Sequence, residues 1–362
     1  MLLVLIIPGE IMGIFSKDPS VIQEGINYLR FVAFSYLFYA IAFAYSSILR
    51  STKEVLLPLK INILAIGINT LFNYLLIYGT LGFPKMGPAG AALATTIARI
   101  VECVTIVGLI YRAGLAPAAS FKQMVNCNPH FIGNFFKTTA PVIINEFLWS
   151  LGVTMYAIVY SRMDKGIYAA VNIASTIERM GVILFFGMAQ ACAIMIGNVI
   201  GSGDEETAFK YAKRAVFTGP MLGTIISFLL IASRDLFLAF YRLSPDVFQL
   251  TKLILLVIAC IIPIKIFNMI LILGVFRSGG DTKFSLFLDT AGMWLIAVPL
   301  AFLAGLVWKL PAHVVYILVA SEELFKIVVG IMRLLSKKWI NNVTHQLQDF
   351  SPALLPDVSN FE

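Results

Sequence analysis

An acidic side chain stands alone in an apolar stretch near the middle of the chain. Glu146 is flanked by Ile144 and Phe147, and no basic residue lies within one helical turn of it. If this stretch lies in hydrocarbon, the carboxylate is costly unless it is paired or hydrated. It then needs a partner from another segment, water, a cation such as Na+, or a proton, and each of these suits an ion-binding site. The alternative is a glutamate near a helix end that reaches the interface or closes a salt bridge.

A basic counterpart lies in a second apolar stretch. Lys265 follows Pro263 and precedes Asn268. If Lys265 pairs with Glu146, a proton that binds the carboxylate would release the lysine and change helix packing. A static pair is equally open, because buried ion pairs are often structural. Lys265 and Asn268 therefore join Glu146 as candidates for an ion-coupling site or substrate cleft.

A third group of candidates lies in the first part of the chain. Asn69 and Asn73 are four residues apart, so they project from one face of a helix, and Thr95 lies on the next apolar stretch. This group could bind an ion or substrate. Interhelical hydrogen bonds between amide side chains are the alternative.

The other charges within apolar stretches are expected to be structural. Arg99 with Glu102 (i, i+3) and Glu322 with Lys326 (i, i+4) can pair on their own helices. The remaining charged residues lie near the ends of predicted spans. Asp289 can there reach Lys283 or water, and Glu178 and Arg179 can reach the membrane interface.

The composition indicates a membrane protein. Hydrophobic residues make up 59% of the chain, charged residues 13%, and the mean hydropathy is +0.88. Since about 20 apolar residues cross the hydrocarbon as a helix, the sequence predicts an all-α polytopic protein. Nine spans are predicted, at 26–48, 57–79, 88–111, 138–160, 173–199, 213–233, 250–275, 284–308 and 312–335.

An internal duplication divides the chain. The segment Arg277 to Lys283 has an earlier echo in Arg50 to Lys53, and Leu310-Pro311 has one in Phe83-Pro84, both at an offset of 227 residues. In a membrane protein such a repeat is typical of a transporter whose two halves flank a central site. A 6+6 repeat would put about two and a half further spans before Met1, so the first lobe is expected to be incomplete. The predicted organisation is an N-terminal lobe at 1–112, a cytoplasmic linker at 113–137, a six-helix lobe at 138–335 and a cytoplasmic tail at 336–362.

The lysines and arginines predict the orientation. Alternate loops collect fourteen of them on one side and nine on the other, and the richer side is assigned to the cytoplasm. The net charge of +7 then reflects this bias and the attraction to anionic lipid headgroups, and no nucleic-acid partner is needed to explain it.

Several short motifs, in their order along the chain, resemble the multidrug and toxic compound extrusion (MATE) family. The match runs from about residue 10 to residue 340. The motifs are Leu49-Arg50-Ser51, Asn69 to Asn73, Gly87 to Thr95, Pro141 to Glu146, Gly197 to Asp204, and the box from Arg277 to Thr282.

The resemblance implies two six-helix lobes around a V-shaped cleft, and efflux of organic, often cationic, compounds driven by Na+ or H+. We expect a monomeric, multi-pass transporter in a bacterial cell membrane, with small organic substrates and membrane lipids as partners and no cofactor beyond the coupling ion. In the family, the positions that match Asn69, Asn73 and Thr95 form a cation or proton site with an aspartate from the first span. The uncharged Asn73 departs from this pattern, because aspartate is common at its position.

Other function classes find little support in the sequence. An enzyme would need a nucleophile, a base and an orienting group together, whereas His130, His313 and His345 lie in loops or at span ends. The glycine-rich segments lack the lysine-serine ending of a nucleotide-binding loop, so transport is expected to be secondary. A flippase for lipid-linked oligosaccharide or peptidoglycan precursors, from the same superfamily, is the nearer alternative. It would be expected to place several arginines in the cleft for pyrophosphate.

Overall fold

The structure is a computed structural model in which residues 2–15, 19–52, 54–115, 117–120, 129–241 and 243–341 are described. Over these residues the backbone forms helices and turns, with one isolated bridge between Gly280 and Ile340. Eight of the described helices are long and apolar enough to cross a membrane. The predicted all-α membrane fold is confirmed. The chain divides into two compact units, Met1–Cys127 and Asn128–Glu362.

The described residues of the N-terminal unit form five helices. They are α1 (Leu2–Ile6), α2 (Pro8–Phe15), α3 (Pro19–Ser51), α4 (Leu56–Tyr78) and α5 (Pro88–Ala113). Helix α5 packs on both α3 and α4. Small residues allow the close approach that helices in lipid require: Ala92 is fully buried, and a side chain at Gly90 would meet the backbone oxygen of Leu76 at 2.7 Å.

The C-terminal unit contains six long helices. They are α6 (Pro129–Met163), α7 (Lys165–Gly201), α8 (Glu205–Ala239), α9 (Pro245–Phe276), α10 (Thr282–Val307) and α11 (Ala312–Leu335). Helix α9 is central, because it packs against α7, α8 and α11. Its residues Ile254, Ile258, Ile262 and Ile266 recur every four positions and are buried, as one helix face should be.

Two of these helices change their winding. The last part of α9, Ile270–Phe276, is a π-helix, and so are Gly292–Ala297 and Leu303–Val307 within α10. Segments of π-helix are rare and occur often at functional sites. Two of the segments begin shortly after polar side chains that are described below, Asn268 and Asp289.

Each of the nine predicted spans coincides with a helix, but several bounds differ. Helices α6, α7 and α8 begin at Pro129, Lys165 and Glu205, well before the predicted 138, 173 and 213. Helix α11 coincides with its predicted span but is not among the eight helices above, because Glu322, Glu323 and Lys326 put too many charges within a membrane-length stretch of it.

The predicted linker and tail are described only in part. Residues 116 and 121–128 of the linker, with Cys127 among them, lie outside the described residues, and 129–137 belong to α6. The tail is described as far as 341. Its first residues pack on the helices of the C-terminal unit. Trp339 is fully buried, and the backbone N–H of Asn341 donates to the backbone oxygen of Gly279 at 2.8 Å.

The helix bounds follow the offset that the repeated motifs predict. Shifting α4 by 227 gives 283–305, which nearly coincides with α10 (Thr282–Val307). Arg50 lies in the last turn of α3, and Arg277 directly follows α9.

Candidate functional site

The three candidates in the N-terminal unit lie together. The Asn73 amide nitrogen donates to the side-chain oxygen of Asn69 at 3.0 Å, and Asn69 donates to the Thr95 hydroxyl at 3.4 Å. The side-chain oxygen of Asn73 is buried and has no hydrogen-bond partner among the described residues. The cluster has no charge, so it can bind a cation only through amide and hydroxyl oxygens.

A predicted structural pair is confirmed in the same unit. An Arg99 guanidinium nitrogen lies 2.6 Å from a Glu102 carboxylate oxygen, and the guanidinium stacks 4.6 Å from the centre of the Tyr39 ring. Both contacts satisfy the arginine within the apolar helix α5.

Glu146 and Lys265 do not pair with each other. The Glu146 carboxylate instead binds Arg277, 2.8 Å away, and its side chain is 56% exposed. The prediction of a Glu146–Lys265 pair is therefore wrong, although Glu146 does take its partner from another segment, as its isolation required. Its neighbour Asn145 is buried and donates to a carboxylate oxygen of Asp289 at 3.2 Å.

Lys265 binds an acid that the sequence placed at an interface. Its ammonium group lies 2.6 Å from Glu178 of α7, and the hydroxyl of Tyr316 donates to the other carboxylate oxygen of Glu178 at 3.2 Å. The Glu178 side chain is only 12% exposed. The expectation that it reaches the interface is wrong because α7 begins at Lys165, which places Glu178 about 20 Å along the helix.

Asn268 also lies in the interior. Its amide nitrogen donates at 2.7 Å to the carboxylate and at 2.9 Å to the backbone oxygen of Glu323 on α11. Both side chains are buried. Asn268 thus links α9 to α11 through Glu323, which was not among the candidates predicted from the sequence.

Lys326, which is buried, contacts two acids. The Lys326 ammonium lies 2.8 Å from Asp289 of α10 and 3.5 Å from Glu322 on its own helix. The predicted pairing of Glu322 with Lys326 is confirmed but incomplete, since the shorter contact is with Asp289. Asp289 therefore binds Lys326, and the expected contact of Asp289 with Lys283 is wrong.

These contacts form one assembly, which we call the buried acidic network. Lys265 interacts electrostatically with Glu323 as well as Glu178, and Glu322 interacts with Asp289 and Lys265. The network comprises four acids, two lysines and three neutral partners from five helices of the C-terminal unit: Glu178, Asp289, Glu322, Glu323, Lys265, Lys326, Asn145, Asn268 and Tyr316.

The network has more acids than bases. When all its titratable groups are charged, four carboxylates face two ammonium groups, so two negative charges lack a counter-charge within it. A charge that leaves water for a protein interior loses several kcal/mol of hydration even after relaxation. A proton or a bound cation would remove this excess.

Several oxygen atoms around the network have no hydrogen-bond partner. They are buried, and over the described part of the chain they include a carboxylate oxygen of Glu322, the side-chain oxygen of Asn268, and the hydroxyls of Thr290 and Tyr156. Tyr156 interacts electrostatically with Glu322 and Glu323, so it borders the acids. No group of three or more histidine, cysteine, aspartate or glutamate side chains in the described ranges is arranged to hold a metal ion. The unpartnered oxygens can accept a proton or contribute to a site for a monovalent cation.

Comparison with known proteins gives a consistent picture. A family model described as MatE matches residues 1–75 and 141–303. The uncharacterized transporter YisQ of Bacillus subtilis is 26% identical over 308 residues, which cover 83% of this chain and 66% of that protein. The probable multidrug resistance protein NorM of Thermotoga maritima is 22% identical over 328 residues, which cover 86% and 67%.

The fold is also similar to solved structures. A MOP superfamily transporter from Pyrococcus furiosus matches with a TM-score of 0.80 and 18% identity, over 92% of this chain and 75% of that one. The chain spans about two thirds of the length of the curated relatives it matches.

Proposed function

We propose, because this chain belongs to the MatE family, that it is a secondary antiporter that exports small organic compounds, often cationic, in exchange for Na+ or H+. It is a multi-pass membrane protein, and we place it in the bacterial cell membrane. The single observation that supports ion coupling best is the excess of carboxylates in the buried acidic network. The proposal assigns no enzymatic step to the chain.

The coupling ion would act on helix packing through the network. Its members lie on α6, α7, α9, α10 and α11, so a change in their charge alters contacts between most helices of the C-terminal unit. When the extra carboxylates are charged, they attract the lysines and repel one another; when they are neutralised, both forces weaken. Because an ion can shift an equilibrium only by its differential affinity for two states, alternate packings with different ion affinity are the physical requirement for exchange.

Glu322 is the acid we assign to ion coupling. Its side chain is buried, and its Oε2 atom makes only an ion pair with the Lys326 ammonium at 3.5 Å, longer than the 2.8 Å contact of Lys326 with Asp289, and has no hydrogen-bond partner in the described structure. It is thus less firmly held than Glu178, which binds both Lys265 and Tyr316. A loosely held, desolvated carboxylate can gain and lose a proton or Na+ without first breaking a short ion pair.

The site residues predicted from the sequence would have different roles in ion coupling and substrate binding. Lys265 and Asn268 hold Glu178 and Glu323 in place, at 2.6 and 2.7 Å. Glu146, beside Arg277, is a second candidate carboxylate for Na+ or H+. The uncharged cluster of Asn69, Asn73 and Thr95 would contribute to substrate or cation binding through its oxygens.

A flippase for pyrophosphate-linked lipids fits this arrangement less well. Such a substrate needs cations that are available to its phosphates. The two lysines inside the C-terminal unit's network are each within 2.8 Å of a carboxylate. Neither is available without breaking a buried ion pair, which is strongly unfavourable.

Efflux of a cationic dye from right-side-out membrane vesicles that have been loaded with the dye tests the proposal. A proton gradient and a Na+ gradient are imposed separately, so that the assay also identifies the coupling ion. We expect Glu322→Gln to reduce gradient-driven efflux to the level of vesicles without the protein, because the amide keeps the shape and cannot be charged. Asp235→Asn is the matched control: Asp235 pairs with Lys252 near the surface, 58% exposed, and the variant should transport normally.

Glu146→Gln in the same vesicles tests the other carboxylate. Loss of efflux there, with normal rates for Glu322→Gln, would move the coupling site to Glu146 and contradict our assignment. Normal rates for both variants would contradict coupling through either acid. Absence of efflux from wild-type vesicles under both gradients, with the protein folded, would contradict the proposed function itself.

A further inference from the structure

An apolar pocket with basic residues at its edge lies between three helices of the C-terminal unit. Its volume is about 470 Å³, and α8, α9 and α11 line it. Lys210, Lys213 and Arg214 line it through the apolar parts of their side chains, and all three residues are exposed at its edge. The wall includes the aromatic rings of Phe217 and Phe267, with Leu335 at the end of α11. Nothing in the buried acidic network belongs to this pocket.

The order of these side chains along α8 separates charge from apolar surface. Lys210, Lys213, Arg214 and Phe217 follow the spacing i, i+3, i+4 and i+7, which puts them on one helix face. Phe217 lies three residues, about 4.5 Å, beyond the last cation in the direction of the membrane span. Its ring is 74% exposed. A ligand that follows this face meets positive charge first and hydrocarbon-like surface next.

Two of the three cations are available to a ligand. Lys210 is bound to Glu206 at 2.7 Å on the preceding turn. Lys213 and Arg214 are exposed and form no ion pair with any carboxylate in the described ranges. Lys337 adds a further positive charge nearby, because its ammonium stacks 4.9 Å from the ring of Phe209.

We propose that this pocket binds one anionic glycerophospholipid. Lys213 and Arg214 hold its phosphate, and an acyl chain lies along Phe217, Phe267 and Leu335. A free phosphate ion would gain nothing from the apolar wall, whereas a phospholipid matches both parts of the pocket. The loop assignment from the sequence puts these cations on the cytoplasmic side, where anionic lipids attract basic residues. This inference is independent of the proposed transport activity.

Lipid retention by the intact purified chain tests the site. The protein is equilibrated with mixtures of dioleoylphosphatidylglycerol and dioleoylphosphatidylcholine, and native mass spectrometry counts the lipids that stay bound. We expect Lys213→Gln/Arg214→Gln to bind phosphatidylglycerol about twenty-five-fold more weakly than wild type, since each cation near an anionic headgroup contributes roughly fivefold. Binding of phosphatidylcholine should be unchanged.

A matched pair of charges serves as the control. Lys60 and Lys283 are exposed, belong to the same predicted side of the membrane and do not line the pocket. The variant Lys60→Gln/Lys283→Gln loses the same net charge and should retain phosphatidylglycerol as wild type does. Equal losses in both double variants would show a nonspecific effect of net charge and overturn the site.

Crosslinking supplies a second, independent measurement. Phosphatidylglycerol with a photoreactive acyl chain should label peptides that contain Phe217 or Leu335, and excess inorganic phosphate should not prevent the labelling. Labelling elsewhere on the chain alone, or complete competition by phosphate, would contradict a lipid in this pocket. Both double variants must first show the wild-type elution profile in zwitterionic detergent. A misfolded Lys213→Gln/Arg214→Gln variant is replaced by Phe217→Ala, whose failure to reduce labelling would equally overturn the proposal.

Discussion

Replacing Lys326 by methionine removes the cation that holds two acids of the buried network. The ammonium lies 2.8 Å from Asp289 and 3.5 Å from Glu322, and its side chain is 6% exposed. At an effective dielectric constant of about 20, these separations correspond to Coulomb attractions of roughly 6 and 5 kcal/mol. The desolvation of all three groups offsets much of this attraction.

The net effect should still be large because the acids remain. Removal of one partner from a buried ion pair typically costs 3–5 kcal/mol, since it leaves an uncompensated charge. We therefore expect Lys326→Met to lower the unfolding free energy by about 3–5 kcal/mol. Adding Asp289→Asn removes one of the stranded carboxylates. The double variant should be more stable than the sum of the single changes predicts, by about 1–3 kcal/mol.

Lys252→Met is the control for this experiment. Lys252 lies 2.7 Å from Asp235, a comparable distance, but the two side chains are 28% and 58% exposed. Surface pairs contribute about 0–1 kcal/mol, so this variant should unfold nearly as wild type does.

The purified wild type and each variant, including Asp289→Asn alone, are unfolded at equilibrium in mixed micelles by titration with a denaturing detergent. Each titration gives a free energy of unfolding. Acidification should restore part of the stability of Lys326→Met, because protonated carboxyls need no counter-charge. A loss below 1 kcal/mol for Lys326→Met, or strict additivity with Asp289→Asn, would refute the reasoning that these groups form one electrostatic unit.

Two further predictions concern turns at helix ends. A Cβ atom on Gly279 would overlap the backbone oxygen and ring of Trp339, so Gly279→Ala should lower the unfolding free energy by about 1–3 kcal/mol. Gly187→Ala, which meets no atom within 4 Å, should not be destabilised in the same titration. Hydrogen bonds from the Thr207 side chain and backbone lower the pKa of Asp204, which caps α8. The contribution of Asp204 to helix stability is therefore present above its unfolded pKa and lost as the pH falls through its folded pKa. The protection of the Thr207 amide from hydrogen exchange, relative to its intrinsic rate at each pH, should fall there in wild type but not in Asp204→Asn. Identical pH profiles for the two proteins would contradict this cause.

The sequence predicted the existence of the helices well and their ends less well. Apolar runs identify the part of a helix that lies in hydrocarbon, but α6, α7 and α8 continue beyond it through polar residues. Local signals for two of these ends were present. Asp164 accepts from the Gly166 amide at 2.7 Å and Asp204 from the Thr207 amide at 3.0 Å, as N-caps do.

Contacts of the candidate site between residues three or four apart on one helix could be predicted from the sequence. The i, i+3 and i, i+4 rules identified the Arg99–Glu102 pair and the contact of Glu322 with Lys326. The pairing of Lys265 with Glu178 joins residues 87 positions apart. No spacing rule predicts such a contact, because it depends on which helices are neighbours in the folded unit. The late predicted start of α7 added to the error, since it moved Glu178 towards a helix end.

The polar residues of the two units differ in a way that bears on coupling. In the N-terminal unit, Asn69, Asn73 and Thr95 form hydrogen bonds with one another and carry no charge. The C-terminal unit instead places four carboxylates around two lysines, with Glu322 and Glu323 buried and the other two carboxylates largely so. Well-packed apolar residues can replace a buried ion network with equal or greater stability, so helix packing alone does not require these groups. An excess of acids in a dry interior is useful when its charge changes, and π-helical segments begin within a few residues of Asn268 and Asp289. Both features support the proposal that the change of charge, and the change of packing that it would drive, occur at α9, α10 and α11.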